Sequence, residues 1–222
     1  MTDIDINAAE QAEKKKRTKK TVFSFVLGGL AGGLGAAAMI ALIDSGKLGE
    51  TNTSVEIAAL VGLVYVVTTL AIVIGLANPK AGATFLNVED AEEIREQKSM
   101  LTYSAIAMGG AGAALIVVAL GAPGGLIDPV VSLVVYVALS ILAVVVSLRS
   151  RRYQDELMRA MGQESGAVAF YLLALVGGSW SVLAHLGFVA APAALDWLTM
   201  MWGLLLLATF IVVGKRGMMT MR

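Results

Sequence analysis

The chain has 222 residues, 57% hydrophobic and only 15% charged, against roughly 45–50% and about 25% in soluble domains, which excludes an ordinary soluble globule and points to a membrane. Seventeen basic and seventeen acidic residues give a formal net charge of zero, yet the charges are very unevenly placed. With no cysteine and one histidine, disulfide frameworks, thiolate metal sites, thiol nucleophiles and multi-imidazole centres are all excluded.

Residues 1–21 form a basic tail ending in "KKKRTKK". The first apolar run follows at 22–43. Its apolar part is far longer than the roughly 7–15 residues of a cleaved signal, so it reads as a retained anchor. Further runs lie near 55–77, 102–121, 128–148, 167–188 and 194–214. Each matches the ~20 residues needed to cross a hydrocarbon core of about 30 Å. Unpaired backbone groups are not tolerated in lipid, so runs this continuous should be helices. The expected fold is all-α, with six transmembrane helices arranged as three helical hairpins.

The first helix carries Gly28, Gly29, Gly32 and Gly33, and the third carries Gly109 and Gly110. Small residues four apart let helix backbones approach closely in lipid. These strips therefore read as packing faces, either within one subunit or between copies in a homo-oligomer. "GGLAGGLG" lies inside the first span, so it is not a phosphate-binding loop.

Between the second and third spans lies a charged loop, 78–101, containing "NVEDAEEIREQKSML". Asn87 suits an N-cap and Lys98 a C-terminal turn. Val88, Ala91, Ile94 and Leu101 would share one face of the resulting helix, and Glu89, Glu92, Glu93 and Glu96 the other. That acidic stripe is either a solvated face or a docking surface. A second charged loop, 149–166, contains "RRYQDELMRAMGQES". At helical spacing Tyr153, Leu157, Met158 and Met161 oppose Arg152, Asp155, Glu156 and Arg159, which predicts an amphipathic helix over 151–161, interrupted at Gly162.

Lys and Arg concentrate in cytoplasmic loops. The N-terminal tail holds six, the loop 78–101 three, the loop 149–166 four and the tail 215–222 three, whereas Lys47 stands alone opposite them. Both termini and both long loops are therefore expected to be cytoplasmic. The Ala-, Gly- and Val-rich composition suggests a bacterial inner-membrane location.

Nothing in the spans names a reaction. Ionisable side chains at mid-membrane depth usually mark ion paths or relays, but Asp44, Glu56, Asp128 and Asp196 all fall at helix ends. Tyr65, Tyr136, Thr68, Thr69 and Ser140 read as interhelical hydrogen-bonding groups, and Trp180, Trp197 and Trp202 as interfacial or packing aromatics. Tyr65, Tyr136 and Trp202 also recur at the same distance before inner-boundary residues, a weak sign that the hairpins repeat. His185 and Asp196 flank the last outer turn symmetrically; they could meet there as a pH-responsive pair, or remain an interfacial histidine and a solvated carboxylate.

The composition implies no cofactor, no metal, no enzyme activity and no direct nucleic-acid partner. The expected partners are the lipid bilayer and a protein at the cytoplasmic face. The sequence therefore reads as a regulatory or accessory membrane protein, with a small-solute or ion transporter or channel as the alternative.

Overall fold

The computed structural model describes residues 3–46 and 52–219, with side-chain detail from Lys15 onward, Lys16 excepted. Lys47 and Arg222, used above to weigh the two faces, lie outside the described residues. The protein is all-helical, with no strands among the described residues. In chain order the elements are α1 (Asp3–Asp44), α2 (Thr53–Ala77), α3 (Pro79–Phe85), α4 (Ala91–Glu96), α5 (Lys98–Leu120), α6 (Pro129–Ser150), a 3₁₀ turn (Arg151–Tyr153), α7 (Glu156–His185) and α8 (Ala194–Lys215). Six of these helices, α1, α2, α5, α6, α7 and α8, are long and apolar enough to cross a membrane.

Polar side chains at the ends of the apolar runs set where several helices start. Asn52 accepts from Val55 N at 3.1 Å to begin α2. Asp128 accepts from Val130 N and Val131 N at 2.9 and 3.1 Å, with Pro129 in the first turn of α6, where its missing N–H costs nothing. Asp128, one of the carboxylates expected at helix ends, thus satisfies backbone donors that have no partner inside the helix. α1 is longer than the sequence suggests, because the basic run continues the first apolar helix without a break. At about 1.5 Å per residue its 42 residues reach well beyond a hydrocarbon core of about 30 Å.

α2 and α5 form the centre of the bundle, with α6 packed on α5, α8 on α2, and α1 along α2. α7 packs chiefly on α8, and α6 and α7, although consecutive, share at most slight contact. Lipid tails are as apolar as leucine, so close approach rather than oil-like burial must hold such helices together. The α2/α5 crossing provides it. A Cβ placed on Gly62 would lie 2.8 Å from Gly112 O, and one on Gly112 would lie 2.7 Å from Gly62 O. Beside the crossing, Val55, Ala58, Leu115 and Ala119 form a buried cluster that Leu195, Leu198 and Trp202 of α8 cover. Tyr65 fastens α8 to this pair: its hydroxyl donates to Trp202 O at 2.8 Å, and the two rings meet edge to face at 5.9 Å.

The glycine strips divide. Gly109 does face a neighbouring helix, since a Cβ there would lie 3.0 Å from Thr69 Cγ2, while at Gly110 the nearest group is Leu139 O at 3.9 Å. Gly28, Gly29, Gly32 and Gly33 have nothing within 4 Å of an added Cβ. Packing of that strip within the subunit is thus corrected: α1 touches α2 further along, where Leu63 Cδ2 lies 3.4 Å from the Cβ position of Gly35. A strip of small residues permits close approach but does not itself name the approaching helix.

Candidate functional site

The charged segments collect at one end of the bundle, and the local chemistry of each differs from its linear reading. In the acidic loop the N-cap is Asp90, not Asn87: its carboxylate accepts from Glu92 N and Glu93 N at 2.9 and 3.0 Å. Asp is favoured there because its charge also suits the positive end of the helix dipole. Asn87 instead donates from Nδ2 to Met218 O at 2.9 Å. α4 is only six residues long, and Lys98 opens α5 rather than closing the acidic helix.

The apolar side of the loop is anchored, with Val88 and Ile94 buried. Ile94 sits over Gly82, which in turn lies against Gly75 near the end of α2. These two glycines let α3 and α4 fold back onto the bundle, and no glycine-pair pattern in the sequence marks them. The acidic stripe is not uniform. Glu93 is half-buried and accepts from Glu89 N at 2.6 Å and Gln97 Nε2 at 2.9 Å. Glu92 pairs with Arg95 at 2.6 Å in an exposed bridge, of a kind worth about 0–1 kcal/mol. Glu89 and Glu96 are exposed.

The second loop corrects the expected 151–161 helix. Residues 151–153 form a 3₁₀ turn, Gln154 and Asp155 are extended, and Asp155 caps α7 by accepting from Met158 N at 2.7 Å. The local terms are of similar size. The opposite-charge pairs four residues apart offer a few tenths of a kcal/mol each, whereas an Asp N-cap contributes typically ~1 kcal/mol. Gly162 does not interrupt α7, which runs unbroken for 30 residues. Arg152, Asp155, Glu156 and Arg159 are all exposed, and Arg159 Nη2 donates back to Arg151 O at 2.9 Å. Arg151, Arg152, Gln154, Arg159, Gly162 and Gln163 line an open cleft of about 640 Å³.

Bonds between residues far apart in sequence join these segments. Lys20 of α1 donates to Val88 O, and Ser24 to Phe85 O. Tyr103 at the start of α5 stacks on Tyr153 with centroids 5.5 Å apart. Arg216, just past α8, donates from Nε and Nη2 to Glu164 Oε2 at 3.2 and 2.7 Å, while Asn87 holds Met218. The result is one polar platform built from the end of the basic tail, both charged loops and the C-terminal segment. No linear motif announced it, because every one of these contacts crosses between spans.

At the other end His185 and Asp196 are not brought together. His185 is exposed at the end of α7, and Asp196 turns to the start of its own helix, accepting from Ala193 N at 2.7 Å. No ion pair joins them among the described residues. The tryptophans serve packing: Trp197 covers Gly177, and Trp180 Nε1 donates to Ala190 O at 2.9 Å. No group of three or more potential metal ligands occurs among the described residues. Comparison with protein families, with characterised proteins and with solved structures finds no match.

Proposed function

We propose that this is a non-enzymatic regulatory or accessory protein of a bacterial inner membrane, with both termini cytoplasmic, that docks a partner protein on its charged end. The observation that supports this reading is the platform itself. Segments from four separate parts of the chain are held in register by the Lys20, Asn87, Tyr103–Tyr153 and Arg216–Glu164 contacts. Loops that merely connect spans need no such ties. An acidic surface beside an anionic membrane is repelled by it, so Glu89, Glu92 and Glu96 suit a basic protein surface. Arg152, Asp155, Glu156 and Arg159 add a mixed-charge face alongside.

The test is affinity purification of the full chain in mild detergent, comparing wild type with the Glu89→Lys, Glu92→Lys, Glu96→Lys triple variant. Glu93 is spared because its carboxylate holds the loop together. A stoichiometric companion lost in the variant supports docking. Retention of the companion at both low and high salt removes the acidic face from the reading. A lone protein that moves a small solute or ion across liposomes supports the transporter or channel alternative.

A further inference from the structure

The arginine-lined cleft lies where α6 ends and α7 begins, and its charge is not spent within the protein. None of Arg151, Arg152 and Arg159 forms an ion pair among the described residues. Two acids of the same loop are committed elsewhere, Asp155 to the cap of α7 and Glu164 to Arg216. Arg159 is oriented by its bond to Arg151 O. Guanidinium groups present planar forks of donors that match phosphate oxygens, and three converging on one cleft make a strong anion site.

Depth decides what kind of anion. The arginines follow directly on the apolar run of α6, whose Val145 and Leu148 are exposed, and they precede the apolar run of α7, where Phe170 is exposed. Because α6 and α7 hardly touch, the exposed apolar surface of each helix is not covered by the other and is left for acyl chains in a bilayer. A soluble phosphate would use only the cleft, whereas a phospholipid would use both. Basic pockets at the cytoplasmic ends of membrane helices are suited to anionic headgroups.

We propose that this cleft binds the headgroup of an anionic phospholipid, with the phosphate held by Arg151, Arg152 and Arg159 and the acyl chains lying along α6 and α7. The assignment goes beyond partner docking and does not depend on it; it needs only that the six helices sit in a bilayer.

The full chain, purified in detergent, is titrated with phosphatidylglycerol and with phosphatidylcholine, and bound lipid is counted by native mass spectrometry. Wild type should favour phosphatidylglycerol by about tenfold or more, as expected for several surface arginines acting together. The Arg151→Gln, Arg152→Gln, Arg159→Gln triple variant should lose that preference. Gly162→Phe supplies the sharper arm: Gly162 lines the cleft and an added Cβ there meets nothing within 4 Å, so bulk is added at the cleft wall without removing a charge. It should abolish the preference too. If Gly162→Phe binds phosphatidylglycerol like wild type, the attraction is diffuse charge and the shaped site is refuted. Unchanged binding by the triple variant refutes it equally. Millimolar glycerol phosphate should fail to compete; full competition would replace the lipid with a soluble phosphate compound. Each variant is compared with its own melting curve in phosphatidylcholine, and if the triple variant does not fold, Gly162→Phe decides alone. The Glu89, Glu92, Glu96 reversal should leave lipid preference intact, which separates failure of this site from failure of the docking reading.

Discussion

Replacing Gly112 by alanine tests what holds the bundle together. The new methyl would stand 2.7 Å from both Gly62 O and Tyr65 Cβ, where carbon contacts are normally about 3.5–4.0 Å. Backbone on one side and a Cβ on the other cannot swing aside, so α2 and α5 must separate by roughly 1 Å, a gap that forfeits a quarter to a half of each affected dispersion contact. Overpacking of this kind costs about 1–3 kcal/mol. For a chain of this size a loss near 2 kcal/mol corresponds to roughly 4–8 °C in thermal midpoint. The measurement is a melting curve of monodisperse protein in one detergent. Gly29→Leu with Gly33→Leu is the internal contrast: larger substitutions, but into space with nothing within 4 Å, so the midpoint of the single subunit should not move. If Gly112→Ala melts with wild type while the Gly29, Gly33 variant falls, the central crossing has been assigned to the wrong helices.

Tyr65→Phe removes the donor to Trp202 O and should cost about 0.6 kcal/mol, at most about 1.7, seen as faster proteolysis or earlier melting of the α7–α8 hairpin. Asp155→Ala removes the cap of α7 and should destabilise it by about 0.5–2 kcal/mol, with faster hydrogen exchange confined to residues 156–160. Reversing Arg216 or Glu164 alone should loosen the C-terminal segment and exchanging the two should restore it; unaltered protease sensitivity in the single reversals would show that the bridge in the structure contributes nothing. Since the chain has no native cysteine, single cysteines at 90, 155 and 218 should resist an impermeant thiol reagent in intact cells, and those at 124 and 189 should react.

The spans were readable because twenty apolar residues in a row admit one solution in lipid. Their neighbours were not, and the reason lies in competing local energies. At Asp155 and Asp90 the sequence permits either a longer helix with charge pairs or a fresh cap, and these terms are too close in size for the sequence alone to choose between them. Gly28 to Gly33 advertised packing more loudly than Gly62 and Gly112 did, yet the quieter pair makes the contact. Ala58 and Gly62 do stand four apart on α2, a signal that a search for paired glycines passes over; Gly112 has Met108 and Ile116 at the corresponding places. Lys20, Asn87, Tyr103 and Arg216 could not be assigned partners at all, because long apolar helices separate each from its partner along the chain.

The pairing of α2 with α5 also sets an order of events during synthesis. When α2 leaves the ribosome its main neighbour does not yet exist, and the twenty residues from Asn78 to Gln97 must be made before α5 begins. Through that interval the face bearing Ala58, Gly62 and Tyr65 lacks both α5 and α8, its neighbours in the finished bundle, and α1 contacts α2 elsewhere, at Leu63. The α3–α4 fold, seated on Gly75 by Gly82 and Ile94, can form in that pause, because these apolar anchors have already been translated; only its tie from Asn87 to Met218 must wait for the end of the chain. It would then hold the chain short and return α5 to the membrane beside α2, so that a surface loop acts as a guide for the helix that follows it.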